Sequence, residues 1–373
     1  MANTKIDFLY LNQDDMVKAG VTDMHRCIGV MEEMFELLGK GDYLMGGPNR
    51  NSHGIEITPP LTSPFPNMPV ASADRRFMAM PAYLGGRFNM AGCKWYGSNR
   101  ENIKKGLPRS ILMVTLNDPD TGAPVAYMSG NLISSMRTGA VPGVGVKYLA
   151  NPDSEVVGVI GCGVINRACV TAIKDACPNL KLAKIYDVIP QSAENMSKYI
   201  QKVFPDMKTV ITKSIEETVR DADIITSATS GSAKPFIDDH WLKPGVLLSL
   251  PAEMEVPKEF MLKARKIIDN KKMHMLWHDY KKVQGNFHEL VGIISSYMME
   301  YIDEGLMTWG DVTNIGDIIA GKVPGRQSHD EQIIFAMGGM PVSDVAWGTE
   351  IYHNAAKMGI GTKLNLWDTP YKL

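Results

Sequence analysis

The stretch Ser154–Asp187, SEVVGVIGCGVINRACVTAIKDACPNLKLAKIYD, decides the fold. Val156, Val157, Val159 and Ile160 form a short β-branched run, the pattern of a strand buried on both faces. Gly161-Cys162-Gly163 follows at once. Val164 to Ala176 then predicts a helix, with Pro178 just past its end. Leu182 to Tyr186 predicts the next strand, and Asp187 sits at its tip. This is the order of a dinucleotide-binding βαβ unit. Gly161 permits the tight turn, Gly163 lets backbone approach a pyrophosphate, and the helix N-terminus offers N–H groups and positive dipole. Asp187 lies where a carboxylate accepts both hydroxyls of an adenine ribose and repels a 2′-phosphate, so NAD is expected rather than NADP. Asn166 stands where the G-x-G-x-x-G pattern has its third glycine. The competing reading is a buried βαβ unit that binds no nucleotide.

Outward from this stretch, 373 residues suffice for two domains of ordinary size. A net charge of −2 gives no case for nucleic acid or a membrane surface as partner. The N-terminus has no basic segment followed by an apolar core, so no secretory signal is expected. The longest apolar run, Val156 to Ile165, is about half of a membrane span. The five cysteines are odd in number and lack C-x-x-C spacing. That argues against a disulfide framework or a zinc site and for a reducing cytoplasm. Cys162, inside the glycine turn, reads as a small filler in preference to a reactive thiol.

Before the turn, residues 13–39 predict one helix. Residues 41–75, rich in Gly, Pro, Asn and Ser, predict a long functional loop. Residues 76–129 alternate strand-like runs with turns, and Asn117 to Gly122 is a hairpin signal. The first third is therefore expected to be α+β with a mainly antiparallel sheet. From about Val141 strands and helices alternate, the rhythm of a Rossmann-type doubly wound parallel sheet. The expected fold class is α/β. Residues 1–138 with 342–373 are expected to form a substrate-binding and dimerisation domain, and residues 139–341 an NAD-binding domain.

Five segments carry a resemblance: GLPRSILMVTLNDPDTGAPVAYMSG running into NLISSMRTGAVPGVGVKYLA, VVGVIGCGVINRACV, ADIITSATSGSAKPF, WLKPGVLLSLPAE, and GDIIAGKVPGRQSHDEQIIFAMGGMPVSDVAW. In this order the chain resembles the ornithine cyclodeaminase/mu-crystallin family over nearly its whole length. Within that family the MGGPN and KWYGSNREN segments resemble a subgroup that carries the label of a tyramine oxidase component. The resemblance implies that Arg50, Lys94 and Arg137 hold the α-carboxylate of an amino or imino acid. A forked guanidinium suits a planar carboxylate, and a lysine adds a point charge. It implies that Thr138, Gly161, Gly163, Val164, Ile165, Ala228 and Thr229 meet the cofactor. It places the catalytic carboxylate at Glu253, where the family usually has Asp, with Lys94 beside it in catalysis. His53 and Glu56, in the long loop, are weaker pocket candidates.

The activity implied is hydride transfer from Cα to NAD, with L-ornithine going to L-proline and ammonia. The same positions without an internal amine serve a cyclic imine reductase or an amino-acid dehydrogenase. A non-catalytic NAD-binding protein like mu-crystallin is the fourth class, after an amine-specific enzyme. An amine without a carboxylate would leave the three cations without their substrate partner. The expected partners are a small amino- or imino-acid substrate and a second copy of the chain, with no metal.

Overall fold

The computed structural model describes residues 4–229, 234–284 and 292–371. It divides into two compact units: Met1–Asp23, Asp42–Ser134 and Met340–Leu373 form the first, and Met24–Gly41 with Ser135–Gly339 the second.

The first unit is built on a sheet of β1 (Ile6–Leu11), β2 (Tyr43–Met45), β3 (Ile55–Ile57), β4 (Arg76–Leu84), β5 (Met90–Ser98), β6 (Ser110–Asn117), β7 (Pro124–Ser129) and β16 (Thr362–Trp367). The order is β16-β1-β7-β6-β5-β4-β2, with β3 on the edge of β4. Neighbours are antiparallel except β1 and β7. Period-2 alternation sorts the residues. On β4 and β5 the even-numbered residues, such as Met78, Met80, Lys94 and Tyr96, turn inward, and Phe77 and Trp95 stand on the other face. The inward face is covered by a long helix, Pro341–Met358, which packs on β4, β5 and β6. A short helix α1 (Gln13–Lys18) completes this unit.

The second unit holds a parallel sheet of β8 (Val156–Ile160), β9 (Leu182–Tyr186), β10 (Lys208–Ile211), β11 (Ile224–Ser227), β12 (Leu247–Leu250), β13 (Arg265–Ile268), β14 (Val312–Asn314) and β15 (Ile333–Ala336). Its order is β10-β9-β8-β11-β12-β15-β13-β14. The helices are α2 (Met24–Lys40), α3 (Asn131–Leu149), α4 (Val164–Ala176), α5 (Pro190–Val203), α6 (Ile215–Val219), α7 (Lys258–Lys263), α8 (Lys271–Gln284), α9 (Ser295–Asp303) and α10 (Ile315–Ile319). The helix of the first unit is α11 (Pro341–Met358). This is the expected α/β fold with a Rossmann-type sheet. Among the described residues no helix is long and apolar enough to cross a membrane.

Three expectations are corrected. Residues 13–39 form two helices, because Gly20 takes a left-handed φ of 93° between them. The long loop 41–75 contains β2 and β3, whose three-residue length escapes a periodicity search. Residues 24–41, expected in the first domain, group with the second unit. There α2 packs on α10, with Gly39 so close to Gly316 that a Cβ at Gly39 would lie 2.1 Å from its carbonyl oxygen.

Candidate active site

The strand order reverses beside β8, whose neighbours are β9 on one side and β11 on the other. In open α/β sheets this is where ligands bind, beyond the carboxyl ends of the strands. Gly161 and Ala228 follow those two strand ends. Gly161 has φ 84°, and a Cβ there would lie 2.9 Å from Thr229 Cγ2 and 3.0 Å from the Ala228 carbonyl oxygen, so only glycine fits. Gly163 is the N-cap of α4, and nothing lies within 4 Å of where its Cβ would be. That open face, with exposed Val164 and half-buried Ile165 beside it, is the room a pyrophosphate needs at a helix N-terminus.

Asn166, in the third-glycine position, is fully buried. Its Nδ2 donates to the carbonyls of Ile160 (3.0 Å) and Gly161 (2.6 Å), and its Oδ1 accepts from Thr226 Oγ1 (3.0 Å). The amide thus ties the turn to β8 and β11 where other chains rely on close packing. Asp187 Oδ2 accepts from the Cys162 N–H (2.7 Å) and Oδ1 from the Ile189 N–H (2.8 Å). The carboxylate is fixed at the tip of β9, and each oxygen keeps a lone pair for a ribose hydroxyl. Burial and the Asp187 charge push the Cys162 thiol up to about 12, which makes it an inert filler. These residues fit a dinucleotide.

Glu253 lies in the loop after β12, largely buried, 2.8 Å from Lys234. The Lys234 ammonium is 5.7 Å from the Tyr297 ring centroid. Burial, with Glu255 and Glu253 nearby, raises the Tyr297 hydroxyl above its ordinary range. Arg137 is buried on α3, and Thr138 after it is half-buried.

Lys94, in the middle of β5, is 3% exposed, and its Nζ is 2.9 Å from Asp344 Oδ2 in the first turn of α11, itself 1% exposed. An ammonium out of water requires a counter-charge, and Asp344 supplies it. Sequence reasoning missed Asp344, because the pairing joins a strand to a helix far along the chain. The available signal was a lone acid in the apolar run PVSDVAW. Tyr96 follows on the same face, with Lys94 Nζ 5.6 Å and Arg76 Cζ 6.0 Å from its ring centroid. Burial lowers the Arg76 guanidinium, but Tyr96, Asp74 and Glu56 outweigh it and hold it above its ordinary range.

Arg50 sits in an exposed turn with φ 57°, its carbonyl accepting from the Met45 N–H. Of the weaker candidates, Glu56 is on β3, 3.7 Å from Arg76, and His53 is half-buried in the preceding turn. Lys94 and Glu56 thus belong to one sheet, and Glu253, Arg137, Thr138 and Asp187 to the other unit.

A second buried polar group holds the loop that leads to α11. Asp269 Oδ2 accepts from the N–H groups of Gly338 (2.7 Å) and Gly339 (3.0 Å), and Oδ1 meets His274 Nε2 at 2.8 Å. His274 Nδ1 is 2.8 Å from Ser295 Oγ. Ser, His and Asp in series suggest acyl-transfer chemistry, but Ser295 and His274 are fully buried and out of a substrate's reach.

A model of the ornithine cyclodeaminase/mu-crystallin family matches residues 20–359. The chain belongs to that family. Among family relatives, N-((2S)-2-amino-2-carboxyethyl)-L-glutamate dehydrogenase of Staphylococcus aureus is 27% identical, over 97% of this chain and 99% of its own. The structure is similar to that of Δ1-pyrroline-2-carboxylate reductase of Thermococcus litoralis in complex with NADH and L-proline. The TM-score is 0.77 at 26% identity, covering 96% of this chain and 100% of the other. An archaeal alanine dehydrogenase dimer with bound NAD gives 0.77 at 26% identity, covering 97% and 100%.

Proposed function

We propose that this protein is an NAD(H)-dependent oxidoreductase acting at the Cα–N bond of a small amino or imino acid. The buried Lys94–Asp344 pair carries the reading: an ammonium fixed by a counter-charge on a rigid strand, in a chain that also has a dinucleotide turn. Bound along residues 161–163, NADH supplies the hydride. As the imine carbon is reduced its nitrogen needs a proton, and the Lys94 ammonium is the group suited to donate it. Asp344 holds that ammonium in place. Arg137 and Arg50 take the substrate carboxylate, Asp187 the ribose and Thr138 a cofactor phosphate. The S. aureus, T. litoralis and archaeal relatives, all named as dehydrogenases or reductases, support net redox chemistry.

Redox-neutral cyclisation of L-ornithine is the second reading, favoured by the sheltered carboxylate of Glu253. The 2.8 Å pairing with Lys234 counts against it, since that cation already stands where a substrate side-chain ammonium would be held. Two copies of the chain are proposed to pair through the open face of the first sheet. That face exposes Phe77 and Trp95, stacked with centroids 6.3 Å apart, and Ile55, Ile57 and Ile111 on neighbouring strands.

The test is NADH oxidation with Δ1-pyrroline-2-carboxylate, and with pyruvate and ammonia, beside an incubation of L-ornithine with NAD. Substrate-dependent loss of NADH supports the reading. Proline and ammonia from ornithine without NADH build-up would replace it with the cyclodeaminase. Turnover unchanged in Arg137→Ala would remove the assigned carboxylate clamp.

A further inference from the structure

Register places Arg76 on the same face of the first sheet as Lys94. Met80 pairs with Lys94, Met78 with Tyr96 and Arg76 with Ser98, and all six residues lie on the inward face. Lys94 and Arg76 approach one aromatic ring, at 5.6 and 6.0 Å from its centroid. Met78 and Met80 pack with Tyr96 as an apolar wall, and methionine adapts to varied ligand shapes.

The ordinary structural role for Arg76 would be an ion pair, and its pairs are slack. Arg76 Nε is 3.4 Å from Asp74 Oδ1, and Nη1 is 3.7 Å from Glu56 Oε2. Charge-assisted hydrogen bonds of this kind run at about 2.7–2.9 Å. Asp74 has firmer partners, accepting from Ser98 Oγ at 2.6 Å and lying 3.2 Å from Arg109 Nε. Glu56 accepts from Thr58 Oγ1 at 2.9 Å. The Arg76 Nε is buried and has no hydrogen-bond partner among the described residues. Tyr96 takes a hydrogen bond from the Arg76 side chain, and with its acids at 3.4 and 3.7 Å the five-donor fork still has donors to offer a carboxylate on the face that carries Lys94.

We propose that Arg76 reads a second carboxylate, so that the substrate class is a dicarboxylic amino or imino acid. This rests on the oxidoreductase reading above and names its substrate. One carboxylate is the α-group, and the second lies across the Tyr96 ring at Arg76.

The experiment compares wild type, Arg76→Leu and Arg76→Lys as full-length protein, following NADH oxidation with ammonia and each of oxaloacetate, 2-oxoglutarate and pyruvate. Wild type is expected to favour a dicarboxylate over pyruvate by at least about tenfold in kcat/KM. Arg76→Leu is expected to lose about 100-fold on the dicarboxylate, mostly in KM, and less than about threefold on pyruvate. Arg76→Lys, which keeps the charge without the fork, falls between. A fluorescence titration with NADH reports whether each variant is folded. An equal loss on all acids in a folded Arg76→Leu would make Arg76 structural and overturn the proposal. So would a wild type that prefers pyruvate, whether or not the variants fold. Turnover of pyruvate alone leaves the oxidoreductase standing and sinks the inference. No turnover of any acid, Δ1-pyrroline-2-carboxylate included, sinks both.

Discussion

Lys94 and Asp344 are the residues on which most depends. Each is buried, so removing one strands the other in a low-dielectric setting, at a cost of about 3–5 kcal/mol. Lys94→Met is therefore expected to lower stability by that order as well as abolish turnover. Asp344→Asn keeps the shape and removes the counter-charge. We expect kcat/KM to fall about 100-fold. Steady-state kinetics measure this, and an unchanged kcat/KM would reduce Asp344 to a packing role. Lys94 was named through the resemblance of AGCKWYG to a family segment, in a run that reads as a strand, and the structure buries it there. Asp344 was not, because no local pattern records a partner from another element. Arg50 was named only through the resemblance, and the structure places it in an exposed left-handed turn, where its N–H donates to the Gly47 carbonyl and its carbonyl accepts from the Met45 N–H.

At the scale of the element, the turn between β8 and α4 was readable almost residue by residue, since glycine placement and strand hydrophobicity are local signals. The exception is Asn166, whose departure from the glycine pattern is a substitution of hydrogen bonds for close packing. Asn166→Gly, which restores the pattern, is expected to destabilise the protein by roughly 2–3 kcal/mol and to weaken NADH binding. Chemical denaturation and fluorescence titration check this, and tighter binding would contradict it. The loop before α11 depends on Asp269. Burial alone would raise its carboxyl, but His274 and the Gly338 and Gly339 N–H groups outweigh that and hold it below its ordinary 3.8. A depressed folded value means the stability it contributes is fully present above 3.8 and is lost as pH falls through that lower value. Asp269→Asn should therefore cost roughly 3 kcal/mol at neutral pH and flatten the acid limb of the stability curve. Urea melts from neutral pH down to about pH 3 give the comparison, and a variant with the wild-type acid limb would exclude the role.

For the whole molecule, the α/β class and the doubly wound half were legible from alternating periodicities. The outer part of the first sheet was not: β2 and β3 are only three residues long, and β1 and β16 pair with each other from opposite ends of the sequence, which no local pattern records. The placement of α2 with the second unit was also hidden, because the Gly39–Gly316 approach joins residues far apart in sequence. The face that carries Phe77, Trp95 and Ile111 is the proposed dimer surface. Trp95 is 40% exposed, so Trp95→Glu should leave the fold intact and convert a dimer to a monomer by light scattering. A wild-type monomer, or a variant that stays dimeric, would contradict the surface.

The proposed chemistry is reduction at a C=N bond with NADH. Its most direct test is the pure protein with NADH and Δ1-pyrroline-2-carboxylate or a 2-oxo acid with ammonia, scored by NADH absorbance and by the amino acid formed. NADH loss matched one for one by amino acid is expected, and none in Lys94→Met. No NADH loss with any of these acceptors, together with proline released from L-ornithine, would contradict it.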